Sequence, residues 1–117
     1  MSHEYYTVSV KGVLAAGDNH RMGVLDIALN EQNMDDIEED ERPAAKALVE
    51  KLRALPKGKH VCTCMTCPVT GDGPMAIGWF HEDRKNVTSK MLKSLKKILD
   101  DTGFKTAIID GEFMTYG

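Results

Sequence analysis

The densest run of reactive side chains in the sequence is His60-Val61-Cys62-Thr63-Cys64-Met65-Thr66-Cys67, which holds all three cysteines of the chain. Thiolate and imidazole are the donors that zinc prefers, four of them in a tetrahedron. On an extended strand His60, Cys62 and Cys64 share a face, with successive members about 7 Å apart. One ion would reach them only if the strand bends. Cys67 joins the set if the chain turns back at Pro68, and His81 is a further donor on the next strand. Structural zinc sites usually combine two separated pairs of ligands, and the sequence has no second pair. A thiol nucleophile is the other chemistry open to the run. It needs a base and a lowered pKa, and His60 and His81 are bases by proximity in sequence alone. The favoured reading is that Cys62 and Cys64 are small core residues, since free cysteine is among the most buried residue types. A zinc site at His60, Cys62, Cys64 and Cys67 is the lesser alternative, and otherwise no cofactor is expected.

Charge supplies two more candidate sites. The net charge of −3 divides unevenly: eleven acidic and four basic residues in 1–50 give −7, and seven acidic and eleven basic in 51–117 give +4. Asp35, Asp36, Glu38, Glu39, Asp40 and Glu41 form an acidic run suited to steering a basic protein partner. The run lacks the spaced ligands and central glycine of an EF-hand calcium loop. Arg84, Lys90, Lys93 and Lys97 form a basic counterpart that could follow phosphates. The helix that carries the lysines has no arginine, no interleaved aromatic to stack a base and no helix-turn-helix partner, so nucleic-acid or nucleotide binding is the second reading. Asp18, His20 and Arg21 are acid–base types gathered on one predicted turn, where polar residues are common for conformational reasons. Gly71-Asp72-Gly73 lacks the lysine and the strand–turn–helix setting of a phosphate loop and reads as a hairpin turn.

The elements that would position these groups follow from periodicity. Tyr5 to Ala16 alternates apolar and polar residues and predicts a strand, and Leu25, Ile27 and Leu29 alternate within a second strand over Val24 to Leu29. Gly17-Asp18-Asn19 would join the two as a hairpin. Pro43 opens a helix whose Ala44, Leu48, Leu52 and Leu55 share one face, ending before Pro56. Lys59 to Val69 and Met75 to His81 predict a second hairpin. Thr88 or Asn86 caps a helix carrying Met91, Leu95, Ile98 and Leu99, and Gly103 ends it. Thr106 to Ile109 and Glu112 to Tyr116 predict a last strand bent at Gly111.

The expected fold is therefore α+β in the order ββαββαβ, a five-stranded, mainly antiparallel sheet with two helices packed on one face. It is read as a single domain over 1–117, built from two similar ββα units at about 5–56 and 59–103 and a C-terminal strand at 105–116. Trp79 and Phe80 point to opposite faces of their strand. Trp79 is the candidate partner anchor on the open sheet face, because aromatic residues dominate interface hot spots.

At 117 residues, with 42% hydrophobic and 28% charged residues, the chain can bury a core and is neither collagen-like nor disordered. No apolar stretch approaches the roughly 20 residues of a membrane span, and Met1-Ser2-His3-Glu4-Tyr5-Tyr6 does not read as a signal peptide. An odd number of clustered cysteines argues against an extracellular disulfide scaffold, so a cytoplasmic location is expected. No catalytic set is evident. The function expected from sequence is non-catalytic binding of a macromolecular partner, as an inhibitor, immunity factor or adaptor would bind. That partner is expected to be a protein, and a homodimer through a sheet edge or the open sheet face is a further option. Nucleic-acid binding through the basic helix face is the first alternative, and a metal- or thiol-dependent role of the cysteine run is the second.

Overall fold

A computed structural model describes residues 5–30, 34–65 and 74–116. Their order is β1 (Tyr5–Ala16), α1 (Asn19–Leu29), α2 (Arg42–Arg53), β2 (Cys62–Met65), β3 (Met75–Phe80), α3 (Ser89–Asp101) and β4 (Lys105–Tyr116). Short 3-10 turns lie at Met34–Asp36, Glu39–Glu41, Gly58–His60 and His81–Arg84. The sheet has four strands rather than the expected five, in the order β2-β3-β1-β4, with every neighbouring pair antiparallel. The observed order βααββαβ replaces the expected ββαββαβ, and three helices replace two.

The difference lies in α1, where a strand was expected at Val24 to Leu29. Asp18 caps the helix, its side chain accepting a hydrogen bond from the Arg21 backbone N–H at 2.8 Å. Met22, Leu25 and Leu29 then face the main core, while Ala28, Val24 and Ile27 pack with Ile37, Ala45 and Val49 beside α2. A helix wedged between two apolar surfaces carries apolar residues over most of its circumference. Its helical period is blurred, and the chance alternation of Leu25, Ile27 and Leu29 looks like a strand.

All three helices cover the sheet face that carries Val13, Ala15, Met75, Ile77 and Trp79. Leu52 of α2 and Met91, Leu92, Leu95 and Leu99 of α3 complete this core. The opposite sheet face holds a smaller cluster of Val8, Val10, Ala76 and Phe80, with Leu14, Cys62, Cys64 and Ile109 against it. Gly12 of β1 faces Gly78 of β3 in the register. A Cβ on Gly78 would stand 2.5 Å from the Gly12 Cα, and one on Gly12 would overlap the Ile77 carbonyl oxygen. Gly78 also has φ of 157°, which L residues rarely adopt. Side chains are thus excluded from both sides of this crossing.

Arg53 fastens the loop after α2. Its guanidinium donates to the carbonyls of Gly58 at 2.8 Å, Val61 at 2.5 Å and Leu29 at 2.7 Å. One side chain thereby ties the end of α1, the α2–β2 loop and the start of β2. The Trp79 indole N–H donates to the Lys57 carbonyl at 2.8 Å from within the core, anchoring the same loop a second time. Among the described residues no helix is long and apolar enough to cross a membrane.

Candidate binding cleft

Helices α1 and α2 and the turn from α3 into β4 enclose a cleft of about 270 Å³. Val24, Leu25 and Ala28 form one wall, Ala44, Ala45 and Leu48 the other, and Phe104 closes one end. His20, Arg21, Glu41 and Thr102 are the polar members of the lining. The first turn of α1 thus presents His20 and Arg21 beside an apolar cleft, and the turn before α2 brings Glu41 to the same place.

His20 Nε2 lies 2.8 Å from both carboxylate oxygens of Glu41. The hydrogen bond and opposite charge of Glu41 raise the imidazole pKa above its ordinary value. Both groups are open to water, so the pair contributes little to stability. Its effect is positional, since it holds α1 against the turn that leads into α2. The Arg21 guanidinium reaches the Thr102 carbonyl at 3.5 Å and the Asp18 carboxylate at 3.5 Å. Gly103, with φ of 98°, ends α3 at a point where a Cβ would run into the Arg21 Nη1.

The acidic run leads directly into this cleft. Ile37 is buried, pinning the chain between the two 3-10 turns. Arg42 reaches back, its Nε donating to the carbonyls of Met34 at 3.1 Å and Ile37 at 3.0 Å, and its Nη2 to that of Asp35 at 3.4 Å. Asp35, Asp36, Glu38, Glu39 and Asp40 stand exposed along this braced segment, and Glu41 turns in toward His20. Ile37 and Arg42 therefore convert a run of like charges, which alone would favour an expanded chain, into a fixed arc.

The other residues singled out from sequence lie elsewhere. Trp79 is wholly buried among helix-facing core residues, so the expected anchor on the open face is overturned; Phe80 is buried in the opposite cluster. The indole needs an apolar pocket with one acceptor, and Lys57 provides it inside the chain. Cys62 and Cys64 are half-buried on the sheet face opposite the described helices, packed against the Val8 and Phe80 cluster. Burial first, then the neighbouring Cys64 and Asp83, raise the Cys62 thiol pKa, the direction opposite to activation. His60 belongs to a 3-10 turn ahead of β2 rather than to the strand, and pairs with Asp83 at 3.5 Å. Cys67 lies outside the described residues, among which no three His, Cys, Asp or Glu side chains are placed to hold a metal. Lys90, Lys93 and Lys97 are exposed on α3, and Lys97 pairs with Asp101 at 3.3 Å. Arg84 is half-buried, with its Nε sealed from water and without a hydrogen-bond partner among the described residues.

Neither a protein-family model, nor a curated protein, nor a solved structure matches the chain.

The cleft was only partly legible in the sequence. Asp18 as a helix cap was the available sign that His20 and Arg21 open a helix, and Glu41 was visible only as a member of a charge run. Their meeting depends on the return of the chain through Ile37, which is a tertiary event.

Proposed function

We propose that this protein is a non-catalytic binding module of the cytoplasm that recognises a basic protein partner at the α1–α2 cleft. The partner places an apolar side chain between Val24 and Leu48, and its cationic residues lie along Asp36, Glu38, Glu39 and Asp40. The observation that carries this reading is the apolar cleft opening beside an acidic arc braced by Arg42 and Ile37. A backbone already braced in one shape loses little freedom on binding, which favours affinity. Their common sign accelerates encounter with a basic surface and repels acidic competitors. The charged groups at the cleft mouth serve orientation: His20 and Glu41 occupy one another, and Arg21 offers donors to a backbone carbonyl of the partner.

The test is recovery of crosslinked partners from the native cell lysate, comparing the wild-type chain with two variants. Ala44 is exposed and lines the cleft, so Ala44→Trp fills the space without entering the core. A second variant carries Asp36→Asn, Glu38→Gln, Glu39→Gln and Asp40→Asn. The expected result is a basic partner captured by the wild type in a salt-sensitive manner and lost with either variant. A partner captured equally by all three proteins would refute the reading.

A further inference from the structure

We propose that two copies of this chain associate through the outer edge of β4, joining their sheets about a two-fold axis at Ile108. Among the described residues β4 is the last strand of the sheet and pairs with β1 alone, which leaves a row of its backbone N–H and C=O groups on the outer side. Proteins usually protect such an edge by shortness, proline, a bulge or a cluster of lysines. The β2 edge is short, at four residues. β4 runs for twelve residues, contains no proline, and keeps an unbroken register with β1 from Lys105 to Tyr116. Ile108, near the middle of its first half, is the one large exposed hydrophobic residue among those described.

The sequence of this edge is complementary to itself. In antiparallel pairing, residues directly opposite share a sheet face, so a two-fold axis at Ile108 sets each Ile108 against its mate. The same register places Ala107 opposite Ile109, Thr106 opposite Asp110, and Lys105 opposite Gly111. No like charges face each other. The paired stretch is drawn as far as Gly111, whose φ of 144° departs from the usual strand value although β4 itself continues to Tyr116.

Charge supplies a second, independent argument. Lys96 of α3 pairs with Asp100 at 2.7 Å and also donates to the Thr106 hydroxyl at 3.0 Å, so its ammonium, shared with Asp100, lies over the position that Asp110 of the second copy would face. Asp110 is exposed and makes no ion pair among the described residues; Lys11, its register neighbour on β1, turns instead to the Val87 carbonyl at 3.3 Å. The two-fold axis supplies this Lys96–Asp110 attraction twice. The surface lies apart from the α1–α2 cleft, so dimerisation stands or falls without reference to the partner proposed above.

Sedimentation equilibrium of the full chain, from low micromolar to near-millimolar concentration, tests the proposal. The expected result is a concentration-dependent rise from the 13.0 kDa monomer to twice that mass. Ile108→Lys sets two ammonium groups face to face across the axis and should weaken association by about tenfold or more, with the fold checked by circular dichroism. Asp110→Lys should weaken it as well, by setting two ammonium groups together where Lys96 lies. A chain that stays monomeric throughout overturns the proposal. So does a dimer whose dissociation constant is unchanged by Ile108→Lys, because its interface then lies elsewhere.

Discussion

Replacing Arg53 with methionine should cost more stability than any other change to a charged side chain in the described structure. Methionine keeps most of the apolar stem, so the loss isolates the guanidinium. Three short hydrogen bonds disappear, to the carbonyls of Leu29, Gly58 and Val61. A bond from a charged donor contributes about 1.5–3 kcal/mol, and water can replace part of it because Arg53 is half exposed. At about 1–1.5 kcal/mol for each bond, the sum is about 3–4.5 kcal/mol, or a fall in Tm of about 10–20 °C for a domain of this size. Urea unfolding followed by the fluorescence of Trp79 reads this directly, since the chain has one tryptophan and it is buried beside the loop that Arg53 holds. Arg53→Lys should recover about a third of the loss, because an ammonium lacks the planar fork that reaches three carbonyls together. An Arg53→Met protein within about 0.5 kcal/mol of wild type, the range of ordinary surface changes, would refute the reasoning. A lysine variant as stable as arginine would show that charge alone matters.

Other outcomes follow from the same geometry. Gly12→Ala must push its Cβ against the backbone of β3, and should lower stability by about 1–3 kcal/mol or more, measured by the shift of the urea midpoint. The His20 pKa is raised by Glu41, so the bridge stabilises the fold fully below the unfolded imidazole pKa and loses its contribution as pH rises through the folded value. Glu41→Gln should return the His20 titration, followed by NMR, toward the ordinary imidazole value. Cys62 should alkylate more slowly at neutral pH than a free thiol, because burial disfavours its thiolate. Reaction as fast as that of glutathione would contradict that environment.

The sequence made visible those parts of the fold whose signals are local. β1 was legible from end to end because its alternation and the turn residues after Ala16 agree. Pro43 at the start of α2 and the Thr88 cap of α3 marked two helices, and Gly103 marked the end of the second. α1 was misread because packing on two sides erases helical periodicity. The edge of the sheet was hidden for a different reason: β1 looked like half of a local hairpin, yet both of its partners lie beyond residue 74. The acidic run was legible as charge but not as shape, since its form depends on one buried isoleucine and one arginine bent back on its own chain.

The place of β1 at the centre of the sheet has a consequence for how the molecule is made. Tyr5 pairs with Tyr116 and Ala16 with Lys105, so during synthesis β1 waits about a hundred residues for β4 before its hydrogen bonds close on that side. Its other side waits for residues 75–80. During synthesis Val8, Val10 and Val13 have no sheet to enter, and pairings this distant in sequence form slowly because the loop entropy is lost before any contact compensates. A nascent chain stalled before β4 would carry a bare apolar strand, the kind of segment that chaperones bind and that aggregates when they do not. Placing β4 directly ahead of β1, joined to it by a short linker, would turn the longest-range pairing into a local hairpin and should speed refolding without altering the native contacts.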